Sequence, residues 1–433
     1  MLAAILRNAG YVLSGNLGGA ALNLLQGVVV ARSLGVSNYG LLAATLAVVT
    51  TINVLLSSKV AEFTVKFLTE AVEERNPARS AAVLWLSYGV EAASSIVAFV
   101  IVTAAAPLLA GWFLGTPANA NLLQLYAYAL LASFCLETST GVLRTMKRFD
   151  LLSRLIFLQS ALLLAASLIA FLFDIGVTGF LLAYIAGSAA HTCFMQATVV
   201  QQLRSRQMLG GPRVAVGVLQ REWGSMVRFL ISTNFGSTLS LVSKNADLLW
   251  LSLFRPFNEV GYYKLALSLA NLVALPVGSV SQAFYPDIVV LANSSRYQQL
   301  HSLVRKGSRI TGIWAVLASL GCILAGALFI PLLYGAEFLP SLSALAVLLV
   351  GIAVSASLFW VYPTLLALGR ADVPNYAIIA SILIQIPLIF LLVPWIGYQG
   401  SAIVTTVVRS FQVITLWIYL QRVFRRAAIQ APQ

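Results

Sequence analysis

Twelve apolar runs, each long enough to cross a bilayer as a helix, constrain this chain more than any other feature of its sequence. A transmembrane helix needs about 20 apolar residues, whereas the strands of an outer-membrane barrel alternate over about 10 residues. Only 9% of the residues are charged, compared with about 25% in soluble domains. The sequence therefore predicts an all-α polytopic membrane protein. The runs lie near residues 11–31, 39–58, 81–110, 121–141, 151–173, 177–200, 227–252, 261–285, 310–334, 340–362, 375–394 and 398–420.

The distribution of charge predicts how the chain is oriented in the membrane. The formal net charge is +13, a value that is also typical of proteins that bind nucleic acid. If the amino terminus is cytoplasmic, 22 of the 27 Lys and Arg residues fall on inward segments, and only Arg32 and Arg255 fall on outward loops. Cytoplasmic loops of membrane proteins carry such an excess. We therefore expect both termini in the cytoplasm and no nucleic-acid partner.

Short motifs that recur at nearly constant spacing indicate a duplicated chain. Four features of the first half have a counterpart 218–222 residues later, as expected of an internal repeat. Six helices per half make both halves enter the membrane in the same direction, so their pseudo-twofold axis should lie along the membrane normal. We predict an amino-terminal lobe over 1–207, a cytoplasmic linker over 208–226 and a carboxy-terminal lobe over 227–433. The matched features are VLSGNLGG (12–19) with LISTNFGS (230–237), Gly40 with Gly261, KRFD (147–150) with GRAD (369–372), and DIGVTG (174–179) with WIGYQG (395–400).

The first span carries a polar stripe along one side of an otherwise apolar helix. Lipid offers no hydrogen bonds to amide side chains, so such a stripe should face a cavity or other helices. The repeat offset places Asn234 at the position of Asn16, and Lys244 at the position of Gln26. The two halves are therefore expected to face each other across a polar interior. The residues of the stripe are Gly15, Asn16, Gly19, Asn23 and Gln26.

Charged residues also lie inside the spans of the second half. Lys264 shares a helix face with Ser268 and Asn271, which favours a cavity lining over a lysine that only reaches to the outer interface. Lys244 and Asp247 are three residues apart, so they form either an ion pair or two separate contacts, with an anionic substrate and with a coupling ion or proton. Arg409 lies in the middle of the last span and must meet an anion, water or carbonyl groups.

Two carboxylates and one histidine remain in the spans of the first half. Glu91 and Glu137 are either capped structural carboxylates or proton carriers, and His191 is expected to have a packing role. No group of His, Cys and carboxylate residues has the spacing of a metal site, and no nucleophile lies beside a base. Cys135, Cys193 and Cys322 all fall in apolar runs, so no disulfide framework is expected. The sequence predicts neither a cofactor nor an enzyme.

Cations outnumber anions in the predicted interior. Arg32, Lys244, Arg255 and Lys264 gather toward its outer half, and Arg409 lies deeper. Such a surface suits a substrate that carries phosphate or a sugar carboxylate. The amides suit hydroxyl-rich ligands such as glycans.

These features resemble one family. A first helix with an internal Asn, the sequence ARSLGVSNYG (31–40) that follows it, and the IGVTG and IGYQG turns are similar to the oligosaccharide/polysaccharide flippases. This family belongs to the multidrug/oligosaccharidyl-lipid/polysaccharide exporter superfamily. The resemblance implies a MATE-like transporter of 12 helices in the bacterial inner membrane. It would alternate access between two six-helix lobes and move undecaprenyl-pyrophosphate-linked sugars to the periplasm.

The resemblance also implies a set of binding residues and partners. The cavity would lie between the lobes, lined largely by the first two helices of each half. Expected partners are the lipid-linked oligosaccharide (an O-antigen, capsule or exopolysaccharide unit), membrane lipid, a polysaccharide polymerase and a chain-length regulator. The substrate-binding candidates are Asn16, Asn23, Gln26, Arg32, Asn234, Lys244, Lys264, Asn271 and Arg409, and the ion-coupling candidates are Asp247 and Glu137.

Two other functions remain open from the residues alone. An ion-coupled multidrug or metabolite exporter would share the fold, although a cavity for cationic drugs should favour carboxylates. A membrane enzyme such as a glycosyltransferase would need a catalytic acid or base on a sizeable outer loop. The outward acidic candidates, Asp174, Glu259 and Glu337, all lie on short loops.

Overall fold

The fold is helical throughout the part of the chain that the computed structural model describes, which comprises residues 2–57, 60–205, 222–231, 247–294, 296–370 and 372–430. No strand occurs within those ranges. The helices are α1 (Leu2–Leu56), α2 (Val60–Glu73), α3 (Pro77–Phe113), α4 (Ala120–Ala132), α5 (Leu136–Thr145), α6 (Phe149–Leu172), α7 (Gly176–Ser205), α8 (223–231), α9 (Asp247–Phe254), α10 (Phe257–Asn293), α11 (Tyr297–Phe329), α12 (Ser341–Ser357), α13 (Val361–Ala367), α14 (Asp372–Ile396) and α15 (Tyr398–Gln430).

The predicted fold class is confirmed. Within the described ranges, ten helical stretches are long and apolar enough to cross a membrane. The first two predicted spans lie in the single stretch α1, which is interrupted at Gly35 (φ 68°, ψ 173°). The seventh predicted span, 227–252, is described only at its two ends, α8 and α9. The predicted number of twelve spans therefore remains a prediction.

The chain divides into two compact units. The amino-terminal unit comprises residues 10–34 and 44–241, and the carboxy-terminal unit comprises residues 1–9, 35–43 and 242–433. The amino-terminal unit has an apolar core in which Phe67 of α2, Leu143 of α5 and Met226 of α8 are buried. In the carboxy-terminal unit, a core around Val361 of α13 and Leu420 of α15 corresponds to it.

Two turns adopt the same backbone conformation in both halves, as the aligned motifs predict. Lys147 and Gly369, which open KRFD and GRAD, have φ angles of 56° and 73°. Gly176 and Gly397 of the second motif pair have φ angles of 67° and 66°. Positive φ is uncommon outside glycine, so its recurrence at matched positions supports the duplication.

Candidate substrate and ion sites

The polar stripe of α1 is divided between helix packing and an accessible edge. A Cβ at Gly15 would overlap the hydroxyl of Ser153, and one at Gly19 would lie 3.1 Å from Ser160 Oγ, so both glycines pack closely against α6. Gln26 is 5% exposed. Its Nε2 donates hydrogen bonds to Ser167 Oγ (3.2 Å) and Tyr184 Oη (3.1 Å), on α6 and α7. These contacts give Gln26 a structural role inside the amino-terminal unit.

The other edge of the stripe stays accessible. On a helical wheel, Gly15, Gln26 and Gly19 fall within about 40°, whereas Asn23 and Asn16 lie about 80–100° from Gly15. Asn23 is exposed and Asn16 is half-buried. Close packing of small residues therefore uses one edge of α1 and leaves the two asparagines on the other.

Helix α10 presents its predicted polar face. Lys264 and Ser268 are half-buried and Asn271 is exposed, whereas Tyr263 and Ala270, about 100–120° around the helix from Lys264, are buried in the carboxy-terminal unit. Ser268 Oγ donates a hydrogen bond to the Lys264 carbonyl, 2.9 Å away. No described carboxylate forms an ion pair with the Lys264 ammonium group.

Several other cations have an ion-pair partner. Arg79 contacts Glu70, Glu74 and Glu222 at 3.3, 2.5 and 2.8 Å, and Arg148 contacts Asp150 at 3.0 Å. Of the cations that the sequence placed near the outer side, Arg32 is exposed and has no ion pair with a described residue.

Arg255, which the sequence grouped with the cations of the interior, is engaged in the fold. Its Nη2 lies 2.6 Å from Glu259 Oε1, and the hydrogen bond with that carboxylate raises the pKa of the guanidinium. Its Nη1 donates to the Pro394 carbonyl, and Glu259 Oε2 accepts from the Tyr398 amide. Arg255 therefore joins the turn before α10 to the turn before α15, while Arg32 and Lys264 keep their charges available.

Asp247 lies at the centre of a buried group of oxygen atoms in the carboxy-terminal unit. Its Oδ2 accepts hydrogen bonds from Thr405 Oγ1 (2.7 Å) and Tyr263 Oη (3.2 Å), and these two hydroxyl oxygens are 2.8 Å apart. Gln385 Nε2 donates to Oδ1 at 3.2 Å. Asp247, Tyr263, Thr405 and Gln385 are each no more than 5% exposed. Helices α9, α10, α14 and α15 thus place four polar side chains at one point.

This oxygen group has spare acceptor capacity. Gln385 Oε1 is buried and has no hydrogen-bond partner among the described residues. Rotating the amide by 180° would turn Oε1 toward the carboxylate, an arrangement that needs a proton or a cation between them. Hard cations prefer carboxylate, carbonyl and hydroxyl oxygens. The residues present therefore fit a small cation or a proton.

Arg409 interacts electrostatically with Asp247. The sequence could not identify a partner for this arginine. A buried carboxylate and a guanidinium offset each other's cost of desolvation, so Asp247 supplies one reason why Arg409 is tolerated within α15. The Arg409 side chain is half-buried.

Glu91, and not Glu137, occupies the buried acidic position of the amino-terminal unit. Glu91 is 5% exposed. Its Oε1 accepts from the Glu137 amide (2.8 Å), and its Oε2 accepts from the Thr138 amide (2.9 Å) and hydroxyl (2.6 Å). The first N–H groups of a helix have no partner within the helix. Glu91 of α3 therefore caps the start of α5, whereas the Glu137 side chain is exposed.

The carboxy-terminal unit has a counterpart of this cap. Both halves break one span, between α4 and α5 and between α12 and α13. Thr311 lies 220 residues after Glu91, and its Oγ1 donates to the Ala356 carbonyl (2.8 Å) and accepts from Trp360 Nε1 (3.3 Å). A polar residue on the preceding helix thus supports each break.

Three further residues that the sequence singled out remain to be placed. Asn234 and Lys244 lie outside the described residues. His191 is 5% exposed, and neither ring nitrogen has a hydrogen-bond partner within the described ranges.

Sequence reasoning did not select Tyr263, Gln385 and Thr405 as part of the ion site. In the sequence, each of these three residues is visible as a polar side chain inside an apolar run. The spacing along the chain does not show that three separate helices bring these groups to Asp247.

Comparison with known proteins decides the family. A sequence profile described as "Polysaccharide biosynthesis protein" matches residues 5–291. The chain belongs to this family. This family member is 23% identical over 335 residues to the inner membrane protein YghQ of Escherichia coli (strain K12), a match that covers 77% of the chain and 94% of YghQ.

Solved structures show the same fold for this polysaccharide biosynthesis family member. An inward-facing multidrug resistance MATE family transporter of the MOP superfamily matches with a TM-score of 0.79, 15% identity and 96% coverage of each chain. The lipid II flippase MurJ, in an inward closed conformation, matches with a TM-score of 0.74 and 14% identity, over 96% of this chain and 89% of MurJ. The MATE-like fold predicted from the sequence is thereby confirmed.

Proposed function

We propose that this protein is an alternating-access flippase that moves undecaprenyl-pyrophosphate-linked oligosaccharide from the cytoplasmic to the periplasmic leaflet of the bacterial inner membrane. The cargo is an O-antigen, capsule or exopolysaccharide unit. The polysaccharide biosynthesis family, the fold shared with a lipid II flippase and the similarity to an inner membrane protein support this proposal.

The observation that carries the proposal is that the ammonium group of Lys264 has no ion-pair partner among the described residues. A charge within a bilayer costs about 2.5–3.5 kcal/mol on insertion scales, and proteins usually offset such a cost with a counter-ion. Lys264 has none among the described residues, whereas Arg79, Arg148 and Arg255 each have a carboxylate. An anionic ligand that binds and leaves would supply the missing partner.

The remaining candidates fit the same substrate. Arg32 would join Lys264 at the diphosphate, since cations bind phosphate oxygens through strong charge-assisted hydrogen bonds. Asn16, Asn23 and Asn271 keep accessible amides that suit sugar hydroxyls. We also propose Asn234, Lys244 and Arg409 as substrate contacts. The prenyl tail would remain in lipid.

We assign ion coupling to Asp247. A proton or small cation at its buried carboxylate would change the charge next to Arg409 and so favour one conformation over another. Glu137 is the weaker candidate, because its side chain is exposed and forms no ion pair with a described residue. Both termini lie in the cytoplasm in this proposal. A polysaccharide polymerase and a chain-length regulator are the proposed protein partners.

Surface glycan in a strain that depends on this protein tests the proposal. Lys264→Gln combined with Lys244→Gln should abolish surface glycan and cause the lipid-linked precursor to accumulate, while the amount of folded protein in the membrane stays normal. Lys306→Gln is the matched control, because Lys306 is an exposed cation on α11. Normal glycan in the double variant would refute the cationic site.

The same cells distinguish the rival function. The fold shared with a multidrug resistance transporter favours drug export as the second candidate. Resistance to toxic cations that disappears on deletion, with surface glycan intact, would establish the exporter and overturn the flippase.

A further inference from the structure

The segment 35–43 of α1 packs with the second half of the chain, inside the carboxy-terminal unit. Tyr39 is 7% exposed, and its ring meets Phe338 edge-on, with ring centroids 5.8 Å apart and an angle of 76° between the planes. Gly35 lies beside the Glu337 carboxylate, whose Oε1 would be 3.4 Å from an added Cβ. In the predicted orientation, this contact is on the periplasmic side.

Two glycines bring α1 and α10 into backbone contact. A Cβ at Gly40 would overlap the Phe257 carbonyl oxygen and lie 2.9 Å from the Gly261 nitrogen. A Cβ at Gly261 would overlap the Val36 carbonyl oxygen and lie 3.1 Å from Val36 Cγ1. Neither position has room for a methyl group, so only glycine permits this approach.

The contact is reciprocal about the internal repeat. Gly40 meets the carbonyl of the residue four positions before Gly261, and Gly261 meets the carbonyl of the residue four positions before Gly40. Both pairs, Val36 with Phe257 and Gly40 with Gly261, are separated by the repeat offset. A self-complementary contact of this kind is expected on a pseudo-twofold axis.

The contact can also separate without leaving a polar group unpaired. In an α-helix, the N–H of residue i bonds to the carbonyl of residue i−4, so the carbonyls of Val36 and Phe257 keep the N–H groups of Gly40 and Gly261 when the helices part. What is lost is close packing and weak Cα–H···O contacts. No ion pair or strong hydrogen bond joins the two backbones at these four residues in the described structure.

We infer that Val36 and Gly40 of α1, with Phe257 and Gly261 of α10, form the closed periplasmic gate of the transporter. The inference rests on the proposed flippase function. Closure requires two backbones without side chains at the point of contact, and opening separates the two helices there. Tyr39 and Phe338 cover the closed contact.

Accessibility of a single cysteine tests the gate without reference to any substrate. Tyr39→Cys is introduced after Cys135, Cys193 and Cys322 are replaced by Ala, and intact cells are treated with a membrane-impermeant maleimide. In this background, Gly261→Ala should raise the labelling rate at least tenfold, because the added methyl keeps α10 from α1. Gly27→Ala, on α1 with open space around its Cβ, should leave the labelling rate unchanged.

A lock tests the closed state with both glycines intact. A short bifunctional thiol reagent that bridges Tyr39→Cys and Phe338→Cys through disulfide bonds should lower the rate of glycan export at least tenfold. A reducing agent should restore that rate. Equal labelling of Tyr39→Cys in the Gly261→Ala and Gly27→Ala backgrounds would overturn the gate, as would normal export by the bridged protein. If the protein carries another cargo, export of glycan is absent throughout, while the labelling difference persists.

Discussion

Replacing Glu91 with Gln should destabilise the amino-terminal unit far more than the same change at Glu137. The Glu91 carboxylate accepts three hydrogen bonds of 2.6–2.9 Å from the first residues of α5. In Glu91→Gln, one carboxylate oxygen becomes an NH₂ group that faces an N–H or O–H donor. At least one of these hydrogen bonds is then lost in a buried site.

The size of the effect follows from these contacts. A hydrogen bond to a charged group contributes about 1.5–3 kcal/mol, and a buried donor left without an acceptor costs about 1–3 kcal/mol. Loss of the negative charge at the helix start adds about 0.3–1 kcal/mol. We therefore expect the free energy of unfolding to fall by roughly 3–5 kcal/mol. At about 2–4 °C per kcal/mol, the unfolding midpoint should fall by roughly 6–20 °C.

Thermal unfolding of the purified protein in detergent measures this effect, and the 8 Trp residues provide the fluorescence signal. Glu137→Gln is the matched control, because its side chain is exposed and loss of its charge in the first turn of α5 should cost only about 0.3–1 kcal/mol. An unchanged midpoint in Glu91→Gln, or an equal loss in Glu137→Gln, would refute the capping role.

Three further predictions follow from the other buried polar groups. Gln26→Leu should lower the free energy of unfolding by about 1–2 kcal/mol in thermal melts, yet leave glycan export per folded molecule unchanged; a loss of export at normal stability would return Gln26 to the substrate site. Asp247→Asn should make transport in proteoliposomes insensitive to imposed Na⁺ and pH gradients, one of which drives the wild type; a retained gradient response would exclude Asp247 as the coupling site. Glu222→Gln should change the free energy of unfolding by less than about 1 kcal/mol, because Arg79 keeps its ion pairs with Glu70 and Glu74. Arg79→Ala should lower the free energy of unfolding by about 2 kcal/mol. Equal melting points for the two variants would contradict this ordering.

The sequence was sufficient for the fold because the bilayer imposes simple rules. Long apolar runs can only form helices or barrels in lipid, and run length excluded the barrel. The aligned turns at Lys147 and Gly369, and at Gly176 and Gly397, were visible because a repeat copies local backbone conformation as well as sequence.

The candidate site was only partly predictable, because helical periodicity shows which residues share a face but does not identify the neighbouring helix. Gln26 and Asn23 belong to one stripe, but about 60° of rotation separates a buried amide from an exposed one. The partners of Gln26 lie 141 and 158 residues away. Asp247 likewise meets Gln385 and Thr405, which are 138 and 158 residues distant. Such contacts depend on the packing of whole helices.

Translocation in proteoliposomes tests the central claim most directly. Undecaprenyl-pyrophosphate-linked oligosaccharide is placed in the inner leaflet, and its arrival outside is followed by the binding of a lectin that recognises the sugar. We expect the wild type to expose the glycan, and Lys264→Gln to do so at least tenfold more slowly, with Lys306→Gln unaffected. No exposure of glycan by the wild type, or equal rates in the wild type and Lys264→Gln, would contradict the account.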